Sequence, residues 1–280
     1  MNETTQREFS VTGAGLTLRG DRSGEGPPIV LCHGITATRR HVVHGSKLLL
    51  RRGHELVVYD ARAHGDSDPA PAGEGYGYPQ LVGDLASVVA ETVGEGRFVL
   101  GGHSMGAHTA LAYALENPER LAGLVVIGPV YTGVVSEESL AYWDGLAEGL
   151  ERGGVEGFVA RIEAAGIDPA WHDTVVRITR ERIAMHRHPR ALAEALREVP
   201  RSRPFEAMSE LETLDVPALV VASHDVADPG HPYAVAEAYA ESLPRARLIS
   251  EHPGESPLAW QGGRLSREIA GFCADLDSEP

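Results

Sequence analysis

Residues 102–106 read Gly-His-Ser-Met-Gly, which places Ser104 between two glycines directly after the apolar Phe98, Val99 and Leu100. Ala107, Ala110, Leu111 and Ala114 follow at helical spacing, and Asn117-Pro118 stops the helix. A strand that enters a very tight turn and leaves as a helix forces the serine backbone into a strained conformation. Only glycine-sized neighbours let the two segments pass that closely. The five residues alone carry little information in a chain with 32 glycines, and the strand before them and the helix after them carry the rest. The hydroxyl of Ser104 is expected to stand clear of the strand, as a candidate nucleophile.

Short apolar runs recur at residues 29–32, 56–59, 98–100, 121–127, 218–222 and 246–249, with helix-like segments between most of them. This alternation predicts an α/β protein with a mostly parallel central sheet and helices on both faces. The rhythm breaks after Ile127. From Val130 to about Glu212 the periodicity is helical, with Gly153-Gly154 and Asp168-Pro169 as breaks and residues 200–204 as an exit. The expected organisation is a core of residues 1–129 and 213–280 with a helical cap insertion over 130–212. Long insertions at strand ends of such sheets border the ligand crevice, although an extra helical layer has the same periodicity. Residues 69–79 read as a surface loop.

A chain of 280 residues can bury a large core, and a net charge of −15 without a Lys/Arg cluster argues against nucleic acid or an anionic membrane as partner. A small-molecule substrate remains. Lys47 is the only lysine, and with abundant Ala and Gly the composition matches a GC-rich bacterial genome. Cys32 in an apolar strand and Cys273 in a terminal amphipathic helix read as buried thiols. The first residues show no basic and apolar leader pattern and no run approaches a membrane span, so a cytoplasmic enzyme is expected. No Gly-x-Gly-x-x-Gly follows the first strand, and no cofactor is expected.

His33-Gly34 follows the first apolar strand, and Asp60-Ala-Arg-Ala-His-Gly-Asp-Ser67 is similar to a D-x-R-G-x-G-x-S turn, with Ala63 in place of its first glycine. The run from Val216 through Asp225, with Pro229 beyond, resembles a late strand carrying an acid, and residues 264–276 close the chain as a helix. In this order, together with residues 102–106, these features resemble the α/β-hydrolase superfamily over nearly the whole chain. The resemblance implies that fold and acyl-transfer chemistry. A neutral serine hydroxyl is a weak nucleophile, so it needs a base in hydrogen-bond reach and a third group to orient that base. The negative oxygen of the tetrahedral intermediate would be met by the amides of Ile35 and Met105, each donor contributing about 3–4 kcal/mol. His33 and His103 flank these features and are expected as polar supports.

Asp225 lies at the end of an apolar strand and is the expected orienting acid. Asp228 is its rival, although it could open the Pro229-Gly230 turn or cap the helix near Tyr233. The family pattern departs at the base. Residues 251–257 read Glu-His-Pro-Gly-Glu-Ser-Pro, and alignment on Gly254 and Ser256-Pro257 puts Glu255 where the family has its histidine, with His252 three positions early. Either the loop is re-registered and His252 is the base, or Glu255 replaces it and hydrolysis is severely slowed.

His41, His44, His54, His172, His186 and His188 are expected on exposed helices or loops. His224, Asp225, Asp228 and His231 have spacing open to a metal reading, but they straddle a strand end without a supporting cluster, and no metal is expected. Trp143, Trp171 and Tyr142 either line an apolar pocket or knit the insertion's own core. Two functions stay open: a serine hydrolase acting on an ester, thioester, lactone or activated C–C bond of a small, fairly apolar molecule, or a non-hydrolytic protein of the same fold, a cofactor-independent lyase or cyclase or a ligand binder.

Overall fold

Strands whose apolar residues run continuously, instead of alternating, need cover on both faces. In the computed structural model of the chain, which describes residues 6–13, 15–224, 228–276 and 278, such strands form the centre of one eight-stranded sheet. The elements are β1 (Gln6–Gly13), β2 (Leu16–Ser23), β3 (Pro28–Cys32), α1 (Leu48–Arg51), β4 (Glu55–Asp60), α2 (Tyr78–Thr92), β5 (Phe98–His103), α3 (Met105–Glu116) and β6 (Leu121–Ile127). Three helices follow, α4 (Glu137–Ala165), α5 (His172–Ile183) and α6 (Pro189–Glu198), then β7 (Ala218–Val221), α7 (Tyr233–Ser242), β8 (Ala246–Ile249) and α8 (Gly262–Leu276). The strand order is β1-β2-β4-β3-β5-β6-β7-β8, parallel from β4 onward, with β1 and β2 antiparallel at one edge.

All six apolar runs are strands. The β1–β2 hairpin was not legible in that pattern because β1 is an edge strand, mostly exposed, in which only Phe9 and Val11 pack inward. Along β3, Val30 and Cys32 join the core under α2, α3 and α7, while Ile29 and Leu31 join the one under α1 and α8. A third apolar cluster joins Leu146 and Phe158 of α4 and Leu192 and Leu196 of α6 to Ile35, Tyr78 and Met105. The break expected at Gly153-Gly154 falls at Gly154 (φ 59°), where α4 folds back on itself. A Cβ on Gly157 would lie 2.1 Å from the Gly149 carbonyl oxygen, so only glycines allow the two halves to pack there. Both cysteines are buried thiols, and burial pushes the Cys32 thiol up to about 12. Among the described residues no helix is long and apolar enough to cross a membrane.

The turn after β4 is fastened by buried charge. Asp60 is 0% exposed; it accepts hydrogen bonds from the amides of Arg39 (2.7 Å) and Asp66 (3.0 Å) and pairs with the Arg39 guanidinium, which also donates to Asp21 (2.8 Å). Gly65 (φ 49°) packs so tightly on this carboxylate that a Cβ would lie 2.2 Å from Asp60 Oδ2. Ala63, at the family's glycine position, takes the left-handed conformation all the same (φ 67°). Arg62 adds a two-pronged pair with Asp84 (2.7 and 2.8 Å). Two histidines expected to be exposed are buried instead, His54 and His186. His186, between α5 and α6, accepts from the Gly65 amide (3.0 Å) and donates to the Thr36 carbonyl (3.2 Å), which draws it under the surface.

Removing one partner of a buried charge pair leaves the other uncompensated. Arg39→Ala should therefore lower the unfolding free energy by about 3–5 kcal/mol, measured by denaturant titration. Arg22→Ala is the contrast, because its pair with Glu55 is only partly buried, and it should lower stability by about 1 kcal/mol or less.

Candidate active site

Ser104 sits between β5 and α3 with φ 53° and ψ −115°, a conformation rare for a side-chain-bearing residue. Its amide donates to the Ile127 carbonyl (2.9 Å) and its carbonyl accepts from His108 (3.0 Å), so the turn is tied to the neighbouring strand on one side and to the helix on the other. A Cβ at Gly102 would lie 2.3 Å from the Gly106 carbonyl carbon, and one at Gly106 would lie 2.3 Å from the Cys32 carbonyl oxygen. The two glycines are thus required by the helix start passing over β3.

Ile35 and Met105 line the same cavity as Ser104. Met105 is the first residue of α3, whose amide has no carbonyl partner one turn earlier in the helix. The segment carrying Ile35 is braced by imidazoles. His33 Nδ1 donates to the Gly34 carbonyl (2.8 Å) while its Nε2 accepts from the Ala61 amide (2.9 Å), and His64 Nε2 lies 2.6 Å from the Ile35 carbonyl. Burial, followed by the neighbouring His64, holds the His33 imidazole well below its ordinary range, so it is neutral and serves as a fixed linker.

Asp225 lies outside the described residues. His252 is exposed; its amide faces the Glu255 carboxylate (3.3 Å), and Glu255 in turn pairs with Arg264 of α8 (2.6 Å). That pairing holds the Glu255 carboxyl below the usual range, and neither residue lines the cavity that Ser104 lines. Glu251, which sequence reasoning passed over, is the buried acid of this loop. It accepts from the His224 amide (2.8 Å) and the Leu258 amide (2.9 Å), fastening the loop after β8 to the end of β7.

The structure brings an acid and an imidazole together at Asp228 and His231, which border His103, the residue before Ser104, and do not themselves line the cavity. Their Oδ1 and Nδ1 atoms are 2.7 Å apart, and the His231 ring lies 4.7 Å from that of His103, the residue before the serine. Gly128, at the end of β6, leaves the space for both rings: a Cβ there would lie 3.2 Å from each. One donor atom from each of His103, Asp228 and His231 falls within 4.8 Å of the other two. Burial works against charge on Asp228, yet the hydrogen-bonded His231, with His103 and Arg182, holds its carboxyl below the usual range. Burial and then His231 push the His103 imidazole down to about 3. The signal for this pair in the sequence was the three-residue spacing of Asp228 and His231 around Pro229-Gly230.

The cavity has a volume of about 410 Å³, and Trp143 and Val199 of the segment between β6 and β7 are among the residues that line it. Trp143 thus lines the pocket, while Trp171 packs on Trp260 beside the loop after β8. No charged side chain is among the described residues that line it. Tyr78 and His108 form one wall, with Tyr78 Oη 3.1 Å from His108 Nδ1. The loop expected over residues 69–79 ends in the first turn of α2 instead. Tyr76 and Tyr78 are buried, because their amides donate to Glu198 (2.8 Å) and Ser202 (2.8 Å) of the segment above.

The comparisons agree with this architecture. A thermophilic esterase from Thermogutta terrifontis superposes with a TM-score of 0.79 at 23% identity, covering 97% of this chain and 99% of that one, which establishes the fold alone. Epoxide hydrolase B of Mycobacterium tuberculosis is 33% identical over 109 residues, which is 39% of this chain and 30% of that protein. The sn-1-specific diacylglycerol lipase ABHD11 of Mus musculus is 36% identical over 109 residues, 38% of this chain and 34% of that one. The matches thus span about a third of the length of these curated relatives. The profile of the alpha/beta hydrolase fold family matches residues 27–255, and with the strained serine turn at the head of α3 and the parallel sheet beneath it, the chain belongs to that family.

Proposed function

We propose that this protein is a serine hydrolase acting on an ester, thioester or lactone of a small, fairly apolar molecule, with the helical segment between β6 and β7 as its cap. The observation that carries the reading is Ser104, held at φ 53° beneath a largely apolar cavity that Ile35 and Met105 also line. The Ser104 hydroxyl attacks the substrate carbonyl, and the Ile35 and Met105 amides receive the developing oxyanion. The proposed base is His231. Its Nδ1–H donates to the Asp228 carboxylate, which leaves Nε2 with the lone pair that takes the serine proton and later returns it to the leaving group. His252 and Glu255, both exposed, have no part in this scheme.

A second reading keeps one support. The loop after β8 places neither His252 nor Glu255 on the cavity, as expected of a family member whose pocket binds or rearranges a ligand without hydrolysis.

An activated phosphonate should label Ser104 in the parent and not in Ser104→Ala, read by mass spectrometry; a folded Ser104→Ala variant with parental esterase turnover would eliminate the hydrolase reading. On a short-chain aryl ester His231→Ala should lower kcat by about six orders of magnitude. His252→Ala should leave kcat unchanged. If His252→Ala abolishes turnover and His231→Ala does not, the base is the exposed loop histidine. If the phosphonate labels nothing and no ester is turned over, the non-hydrolytic reading stands.

Asp228 also links stability to pH. Because its carboxyl is held below the ordinary value of 3.8, its stabilising contribution is complete above about pH 4 and is lost as pH falls through the folded value. The difference in unfolding free energy between the parent and Asp228→Asn, about 1–3 kcal/mol above pH 4, should close on acidification below it.

A further inference from the structure

His108 Nε2 accepts two backbone hydrogen bonds at once, from the amides of Val130 (3.1 Å) and Tyr131 (3.2 Å). A nitrogen facing two N–H donors carries no proton of its own. Burial pushes this imidazole down to about 3, so the ring is neutral at any ordinary pH and its single hydrogen is on Nδ1. Nδ1 therefore donates to Tyr78 Oη, 3.1 Å away, and the phenol's own hydrogen has to point elsewhere. Among the described residues no acceptor meets it. Tyr78 is buried, its amide is fastened to Ser202 Oγ, and its ring stands edge-on to His108 with 5.9 Å between centroids, so the hydroxyl is held in one place on the cavity wall. Burial also holds the phenol well above its ordinary range, so the proton stays on oxygen.

We propose that Tyr78 is a specificity-determining residue: its hydroxyl, oriented as a donor by His108, binds a neutral oxygen acceptor, a ketone or ether, on the acyl portion of the substrate. A neutral acceptor fits better than a carboxylate because no cationic side chain is among the described residues lining the cavity. A substrate with only hydrocarbon at this point leaves a buried donor unpaired, and that asymmetry is the basis of discrimination. The proposal rests on the serine-hydrolase reading for its choice of substrate, and the test separates the two.

The probes are p-nitrophenyl esters of 4-oxo- and 5-oxohexanoate, each matched with the 4-methyl- or 5-methylhexanoate ester in which a methyl group replaces the ketone oxygen. The parent should favour at least one oxo ester over its methyl partner by about tenfold in kcat/KM, and Tyr78→Phe should bring that ratio close to one. Affinities of the intact esters for Ser104→Ala and for Ser104→Ala/Tyr78→Phe, measured by calorimetry, give the same comparison without turnover. An oxo preference in Ser104→Ala that disappears with Tyr78→Phe supports the subsite even if the parent hydrolyses neither ester, and in that case only the hydrolase reading fails. Equal affinity for both members of each pair, or a preference that survives Tyr78→Phe in a variant with parental unfolding behaviour, overturns the assignment.

Discussion

The close passage of α3 over the end of β3 is the constraint on which the site depends. At Gly106 the helix backbone comes so near the Cys32 carbonyl that no side chain fits, and at Gly102 the incoming strand is equally close to the outgoing helix. With both segments fixed, Ser104 has no choice of backbone conformation, and its positive φ is maintained by hydrogen bonds to Ile127 and His108 on either side. The strain of one residue, of order 1–3 kcal/mol, is small beside the burial of the strands and helices that impose it.

Around this turn the protein uses neutral, buried imidazoles as linkers. His33 joins the Gly34 carbonyl to the Ala61 amide, His186 joins the segment between α5 and α6 to the turn after β4, and His108 joins the loop after β6 to α2. Each ring has one nitrogen that donates and one that accepts, which suits a place where a backbone carbonyl and an amide, or a hydroxyl, must both be satisfied away from water. His231 differs from these three, because its Nδ1 faces a carboxylate and its ring lies beside that of His103, the residue before Ser104.

Charge has a comparable division of labour. Asp60 with Arg39, and Asp84 with Arg62, lock the segments leading to the site, whereas the ion pairs among α4, α5 and α6 are exposed and set little beyond the surface. Glu251 ties the end of β7 to the loop after β8 through backbone amides alone.

The strands, the run of helices between β6 and β7 and the tight turn at Ser104 were legible in the sequence because each rests on local chemistry: continuous apolar runs, helical spacing, and glycines at a turn that tolerates nothing larger. The break in α4 at Gly154 was legible for the same reason. The edge hairpin was not, since its outward residues are polar and its pairing partner β4 lies more than thirty residues on from β2. The loop after β8 and the buried histidines were undecidable from sequence because burial is a property of what comes to lie alongside. Alignment weighed His252 against Glu255, while tertiary structure put both on the surface and gave the interior place to Glu251. Likewise nothing local to Gly-Tyr-Gly-Tyr-Pro or to the helix carrying His108 says that the two meet. Their contact exists because α2 and α3 pack side by side and the loop after β6 delivers two amides to one ring nitrogen.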